Sequence, residues 1–365
     1  MNRKILSNEM KLLSLCSRLE QNPSERLEVK RLLEQSINWQ LLLEISLNHE
    51  VLPLLFYNLI KLKRAVLPEN IAALLNSSYS MTLARNTALW EEFKYLSNSL
   101  QESGIRIIPL KGIILAKTIY RDIGLRPMID IDVLVQNQDL RHAEERILRL
   151  GYKKQLHGLP ESYWIKYQAN LGFFNPEKGI LLELHWQYAP RRPHELDISD
   201  AWRRVLVQAI NRDQIACLTP EDTLLSLCLH IGKNITCLQF IKMKNLCDIR
   251  ELLFAHGSGL DWDYIARKIV TWRIKGLCSY LDYLSGRYLD APWPRDKIEA
   301  LCNQALLRKF VIYAAADLKR RPRPQAMLLM AAMLDTLKDF LSLSLIGILM
   351  FYQKNKSRIF HAITR

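Results

Sequence analysis

The sequence predicts a mostly helical α+β protein, in which a small α/β core lies between an N-terminal and a C-terminal helical region. Three observations predict this class. Glycine and proline are scarce, at 13 and 14 of 365 residues, which argues against a turn-rich all-β protein. Leucine-rich stretches with helical spacing occupy both ends of the chain. Between them the spacing changes to short, alternating apolar segments that are typical of strands.

The composition is that of a globular protein with an excess of positive charge. Hydrophobic residues make up 49% and charged residues 24%, which excludes a disordered or collagen-like chain. The net charge of +14 suits nucleic acid, nucleotide phosphates or an anionic membrane surface, and it suits an ordinary solvated surface equally well. Seven cysteines without a C-x-x-C pair favour a reduced, cytoplasmic protein and argue against structural zinc.

The two ends of the chain predict neither a signal peptide nor a membrane span. Glu9 and Lys11 interrupt the N-terminus before an apolar segment develops. The apolar segment at 340–352 has 13 residues, which is too short for an ordinary spanning helix. We expect a buried terminal helix there, and a helix that docks a partner or a membrane surface is the alternative.

The first region, residues 1–103, is predicted to be helical. The leucine pattern begins near residue 12 and continues through 39–61 and 70–104. Pro53 and Pro68 interrupt the pattern, and Gly104 is a natural stop for the last helix.

The second region, residues 104–217, predicts the order strand, helix, strand, helix, strand. The elements are predicted at 105–110, 113–120, 128–135, 139–152 and 179–187. Because strand side chains alternate, Asp130 and Asp132 share one face of the second strand. Glu183 and His185 likewise share one face of the third. The segment therefore predicts a compact α/β unit with its polar residues on one side.

The third region, residues 218–365, returns to helices. Thr219-Pro220-Glu221-Asp222 is a strong helix start, with a capping hydroxyl, a proline in the first turn and an acid three residues on. A turn is predicted at 257–259, and prolines at 292, 294, 322 and 324 mark later boundaries.

The paired aspartates are the most informative feature. Two carboxylates on one strand face repel each other unless a cation joins them. Mg²⁺, or Mn²⁺, suits such a pair because it takes oxygen ligands and completes its shell with substrate phosphates. Glu183 would then be a third ligand in a two-metal arrangement, or a general base for an attacking hydroxyl.

Basic residues flank this acidic pair. Lys111 and Gly112 lie where a strand meets a helix N-terminus, a place that favours phosphate and allows close backbone approach. An ordinary turn is the alternative. Arg126 is a candidate second phosphate contact, the alternatives being a surface arginine or an ion pair with a carboxylate.

Three further polar residues have open roles. His185 would orient an acid, contact substrate, bind metal or make a structural hydrogen bond. His230 and Asp248 would line a cleft, although a structural role is favoured for both. No G-x-G-x-x-G, Walker A, H-E-x-x-H or G-x-S-x-G motif is present, so Rossmann, P-loop, zincin and hydrolase proteins lack support.

Three segments carry a family resemblance: LKGIILAKTIY (110–120), RPMIDIDVLV (126–135) and ILLELHW (180–186). They resemble the nucleotidyltransferase superfamily of DNA polymerase β-like folds, and more closely its bacterial family of uncharacterised nucleotidyltransferases. Weaker similarity extends outward, so that the resemblance covers about 220 residues between 49 and 266.

The resemblance implies a mixed sheet flanked by helices that binds a nucleoside triphosphate with a divalent metal. Asp130 and Asp132 match the superfamily's strand aspartates, and Glu183 matches its third-strand acid. The chain departs at the phosphate loop, where Lys111-Gly112 replaces the usual Gly-Ser and Ile113 stands where the serine hydroxyl is expected.

The expected function is a Mg²⁺-dependent transfer of a nucleoside monophosphate from an NTP to a hydroxyl-type acceptor, a small molecule or a peptide, in a biosynthetic setting. The alternative is a non-catalytic binding or accessory protein on the same fold, docked through its C-terminal helix. Modification of nucleic-acid ends is not favoured, because no motif of interleaved aromatic and basic residues is present.

Overall fold

The computed structural model describes residues 6–62, 67–190, 196–236 and 241–301. Within these ranges the protein is α+β and mostly helical, with one small mixed sheet, as the sequence predicts. The apolar segment at 340–352 lies outside the described residues. The division at 103 and 217 stays a prediction.

Helices precede the sheet in the N-terminal region, and their caps explain where they begin. Asn22 and Glu25 form a reciprocal capping box at the start of the second helix. Gly104 follows the long fifth helix at φ +76°, the left-handed conformation expected at a glycine stop. In order they are α1 (Asn8–Cys16), α2 (Pro23–Leu33), α3 (Trp39–Asn48), α4 (Leu52–Ile60) and α5 (Glu69–Gln101).

The sheet has five strands in the order β1-β2-β5-β4-β3. β2 and β5 are parallel, and every other neighbouring pair is antiparallel. The three predicted strands are therefore the three adjacent strands β1, β2 and β5, whereas β3 and β4 were not predicted. The strands are β1 (Ile107–Pro109), β2 (Asp130–Val135), β3 (Lys153–Gln155), β4 (Asn170–Asn175) and β5 (Ile180–His185).

The remaining elements complete the chain. The helices between the strands are α6 (Gly112–Thr118), α7 (Leu140–Arg149) and α8 (Glu161–Tyr167). After β5 come α9 (Ser199–Arg203) and a hairpin that sequence reasoning missed, β6 (Leu206–Ile210) and β7 (Asp213–Cys217). The C-terminal helices are α10 (Pro220–Thr236), α11 (Met243–His256), α12 (Trp262–Thr271), α13 (Lys275–Leu289) and α14 (Arg295–Leu301).

The sheet separates two hydrophobic cores. On one face, Ile131 and Val133 of β2 join a core that contains Phe93 of α5 and Ile147 of α7. On the other face, Leu134 belongs to a larger core built from both the N-terminal and the C-terminal helices. Since β2 alternates, its aspartates lie on this second face, toward the helices. The two helical regions thus pack together over the side of the sheet that carries the polar residues.

Helix α5 fixes the loop that leads into β2. Asn86 is fully buried, and its Nδ2 donates to the carbonyl oxygens of Ile123 and Arg126, the latter at 2.9 Å. Arg85 donates to the carbonyl oxygen of Ile129 at 2.9 Å, immediately before Asp130. The position of the first aspartate is therefore set from a helix of the N-terminal region.

The described cysteines lie in the interior of the protein. The cysteines within the described ranges are buried and free: Cys16, Cys217, Cys228, Cys247 and Cys278. They pack as small apolar side chains, as the sequence predicts.

In the described part of the chain, no helix combines the length and the apolar character that crossing a membrane requires.

Replacing Asn86 with alanine should destabilise the protein strongly. The substitution leaves two buried carbonyl oxygens without their donor, which costs about 2–4 kcal/mol. The neighbouring Thr87→Ala is a matched control, because Thr87 is exposed and bonds only its own helix. Urea unfolding monitored by circular dichroism measures both, and equal effects of the two substitutions would contradict the role of Asn86.

Candidate active site

A cleft of about 1170 Å³ lies over the polar face of the sheet, between the α3–α4 junction and the helices α10 and α11. Residues from all three regions of the chain line it. Every predicted site residue except His185 is among them: Lys111, Gly112, Arg126, Asp130, Asp132 and Glu183. The structure therefore brings the sequence-predicted residues to one place.

The register of β2 and β5 places the carboxylates side by side. Asp132 lies directly beside Glu183 in the parallel pair, and Asp130 lies two residues earlier on the same face. Ligand atoms of Asp132, Glu183 and His185 all lie within 4.8 Å of one another. The closest cluster thus contains two of the predicted carboxylates and His185, while Asp130 lines the same cleft.

Asp132 is the centre of this cluster. One of its oxygens, Oδ1, accepts from Lys111 Nζ at 2.8 Å and lies 2.8 Å from His185 Nε2. The same histidine nitrogen lies 3.1 Å from Glu183 Oε2. His185 therefore bridges the two strand carboxylates, and Lys111 neutralises part of their charge.

Lys111 reaches this position through an unusual backbone. It caps α6 at φ +49° and ψ −115°, a conformation that ordinarily favours glycine and costs on the order of 1–3 kcal/mol for other residues. The ion pair with Asp132 is nearly buried, since the two side chains are 12% and 10% exposed. An attraction of that kind offsets the strain and orients the ammonium into the cluster.

Arg126 forms an ion pair with a carboxylate, one of the two alternatives to a phosphate contact. Its Nε and Nη2 donate to the two oxygens of Asp248 at 2.9 and 2.6 Å, and Tyr120 donates to the same carboxylate at 2.9 Å. Asp248 is buried in α11 and has a structural role, as favoured from the sequence. Within the described part of the chain, Nη1 is the nitrogen of this guanidinium group that makes no bond to Asp248 and is left to meet a ligand in the cleft.

Gly112 provides the space for this arginine. A Cβ atom at Gly112 would lie 2.6 Å from Nη1 of Arg126, closer than atoms can approach. The glycine thus brings the first turn of α6 against the guanidinium group. Lys111, Gly112 and Arg126 therefore lie together at the edge of the cleft.

Several cleft residues were not found by sequence reasoning. His230 was considered and does line the cleft, but Glu50, Lys242 and Lys244 were not identified. Glu50 follows α3 in the N-terminal region, whereas the two lysines begin α11. The Lys-x-Lys spacing at the start of a helix was the sequence feature that could have indicated the two lysines. No pattern near Glu50 indicates that its carboxylate contacts them.

Burial and mutual repulsion set the charges of the acids. Burial, together with the charges of Asp132 and Glu183, raises the pKa of Asp130 from 3.8 to about 6. Burial also opposes ionisation of Asp132, but Lys111 and His185 outweigh it and hold its pKa well below the usual range. Burial likewise opposes the charge of Lys111, and the carboxylates outweigh it and raise the pKa of the ammonium. At neutral pH, Lys111 and Asp132 are thus both charged.

These residues fit a divalent cation. Carboxylate oxygens are the ligands that Mg²⁺ and Mn²⁺ prefer, and Asp130, Asp132 and Glu183 would supply them while His185 orients the last two. Three carboxylates line the cleft beside one lysine, and burial together with the charges of Asp132 and Glu183 raises the pKa of Asp130. A bound cation would compensate the charge of these carboxylates, which is the electrostatic reason for the fit.

The fold and the cleft define an α+β protein whose acidic residues share one face of a mixed sheet, and helices cover that face. The family model for uncharacterised nucleotidyltransferases matches residues 35–290, which is well over half of the chain, and the chain belongs to that family. No curated protein and no solved structure matches the chain significantly. The resemblance predicted from the sequence is thereby confirmed.

Gly112→Ala should destabilise the protein by about 1–3 kcal/mol, because the added methyl group displaces the buried guanidinium of Arg126. Gly286→Ala in α13 is the matched control. Among the residues that the structure describes, nothing lies within 4 Å of a Cβ placed there, and alanine favours the helix by about 0.5–1 kcal/mol. Urea unfolding of both variants measures the difference, and a neutral Gly112→Ala would contradict the close packing described here.

Asp130→Asn should stabilise the metal-free protein at neutral pH. The folded protein holds the Asp130 proton up to about pH 6, whereas the unfolded chain releases it near 3.8. The wild type therefore loses stability from this group as the pH rises between those values, and the variant does not. The difference should grow to about 1–3 kcal/mol above pH 6.

Unfolding in urea with EDTA between pH 3.5 and 8 measures this difference. A variant that is less stable than the wild type at pH 7 would show that the Asp130 carboxylate has a compensating partner in the metal-free protein.

Proposed function

We propose that the protein is a Mg²⁺- or Mn²⁺-dependent nucleotidyltransferase that moves a nucleoside monophosphate from an NTP to a hydroxyl-type acceptor. The observation that carries this proposal is the register that sets Asp132 beside Glu183, with Asp130 on the same face, inside a cleft of about 1170 Å³. A cleft of this size accommodates a nucleotide together with an acceptor. Membership of the nucleotidyltransferase family supports the same reaction class.

Asp130, Asp132 and Glu183 would hold the cation, with His185 fixing the orientation of the last two. The cation, when bound, neutralises phosphate charge and stabilises the departing pyrophosphate. Lys111 keeps Asp132 ionised and adds a positive charge at the strand–helix junction. Gly112 and the Nη1 group of Arg126 would contact the phosphates there.

The transfer itself is a displacement at phosphorus. The acceptor oxygen forms a bond to the α-phosphorus, the bond from that phosphorus to the bridging oxygen breaks, and pyrophosphate leaves. The hydroxyl proton would pass to Glu183 where that carboxylate serves as the general base instead of the third cation ligand. Burial opposes ionisation of Glu183, but the hydrogen bond from His185 lowers its pKa, so the carboxylate is ionised and able to accept a proton at neutral pH.

The proposal names only the chemical class of the acceptor, which is a small molecule or a peptide that carries a hydroxyl group. A biosynthetic role and a cytoplasmic location are further parts of it. The buried free cysteines support a reducing compartment.

Asp132→Asn should reduce pyrophosphate release on the order of 100-fold or more, because the residue that Lys111, His185 and the cation share loses its charge. Asp263→Asn, on the exposed first turn of α12, is the control and should retain wild-type activity. The assay incubates the full chain with labelled NTPs, Mg²⁺ or Mn²⁺ and pooled hydroxyl acceptors. A wild type that neither binds an NTP with metal nor releases pyrophosphate would overturn the enzymatic proposal.

A second candidate is a non-catalytic accessory protein on the same fold. The contact between Lys111 and Asp132 favours it, because an internal ammonium already neutralises the central carboxylate without a metal. This candidate predicts that divalent cations leave the melting temperature unchanged. It also predicts that a strain carrying Asp130→Ala with Asp132→Ala behaves as the wild type.

A further inference from the structure

The cations predicted to bind phosphate are already engaged by protein carboxylates. Lys111 is bound to Asp132, and Arg126 is bound through two of its nitrogens to Asp248. A nucleoside triphosphate carries about four negative charges near neutral pH. One divalent metal ion and one guanidinium nitrogen do not neutralise all of this charge. Lysines on another side of the cleft would supply further positive charge.

Lys242 and Lys244 supply positive charge from the start of α11. Both lysines bind one carboxylate, that of Glu50: Lys242 donates to Oε1 and Lys244 donates to Oε2. Lys244 also donates to the carbonyl oxygen of Pro127 at 3.2 Å, in the loop that enters β2. The lysine pair therefore lines the same cleft as the carboxylates of the sheet, beside the loop that enters β2.

The environment of Lys244 requires an anion. Burial, together with the charge of Arg126, lowers the pKa of Lys244, and Glu50 opposes this effect. The Lys244 side chain is 15% exposed, against 38% for Lys242 and 32% for Glu50. A half-buried carboxylate that holds two lysines in a cleft is a replaceable counterion, because Glu50 keeps more access to water than the largely desolvated Lys244.

The start of α11 is held in position by backbone hydrogen bonds as well as by these ion pairs. The backbone N–H of Met243 donates to His49 Nδ1 at 3.2 Å, and that of Lys244 donates to the carbonyl oxygen of His49 at 3.2 Å. These bonds join α11 to the N-terminal region independently of the Glu50 side chain. They also engage N–H groups in the first turn of α11, so the lysine side chains are the groups offered to an anion.

We propose that Lys242 and Lys244 bind the terminal phosphates of the nucleoside triphosphate, and that Glu50 is the counterion they hold in the nucleotide-free protein. The inference rests on the proposed function and extends it to a polyphosphate subsite formed between the N-terminal region and α11. Nucleotide binding exchanges the Glu50 carboxylate for phosphate oxygens, which carry more charge.

The test is isothermal titration of the full chain with a non-hydrolysable NTP, its α,β-bridging oxygen replaced by methylene, in the presence of Mg²⁺. Lys242→Ala and Lys244→Gln should each weaken binding about tenfold or more, which is the loss of one charge-assisted contact. Glu50→Gln should tighten binding several-fold, because the competing carboxylate is gone. Lys153→Ala, an exposed lysine of β3, is the control and should bind as the wild type.

Three outcomes overturn the inference. If Glu50→Gln weakens binding as the lysine variants do, Glu50 is no competitor. If both lysine variants bind as the wild type, the subsite lies elsewhere while the proposed function stands. If the wild type binds neither the nucleotide analogue nor inorganic tripolyphosphate, the inference and the proposed function fail together.

Two additions keep the test decisive. Inorganic tripolyphosphate bound by the wild type and lost in both lysine variants supports the subsite, even where the nucleotide analogue does not bind. Thermal unfolding of each variant without ligand checks its folding. Lys244→Arg, which keeps the charge, should restore most of the affinity if Lys244→Gln folds poorly.

Discussion

The parallel pairing of β2 and β5 is the constraint on which the rest of the site depends. It sets the buried Asp132 beside the half-buried Glu183, where two carboxylates are unstable without positive charge. Lys111 supplies that charge, and both Lys111 and His185 contact a single oxygen of Asp132. The strained turn at Lys111 and the bridging imidazole both stabilise these acids, and the cleft lies above them.

The helical regions serve the same site from outside the sheet. Helix α5 holds the loop before β2 through Asn86, and α11 holds Arg126 through Asp248. Both contacts are buried, and both join residues far apart in the chain. The shared core of the N-terminal and C-terminal helices therefore acts as a frame that positions short polar segments against the sheet.

The sequence predicted those parts of the site whose geometry depends on residues close together in the chain. Asp130 and Asp132 alternate with buried apolar residues, so their common face was readable from the sequence. The strands β3 and β4 were missed, because Lys153–Gln155 is polar and Gly172 interrupts the apolar pattern. The pairs of Arg126 with Asp248 and of Glu50 with Lys244 join residues more than 100 positions apart, and no local pattern specifies such contacts.

The contact between Lys111 and Asp132 also bears on the order of assembly. Many metal sites leave the newly made chain unable to fold until the ion arrives, because their clustered acids repel one another. Here an ammonium group of the chain itself supplies a positive charge at the central acid. If the protein binds the proposed cation, folding and metal loading would therefore be separate events, and the newly synthesised chain would reach its native structure before the ion arrives.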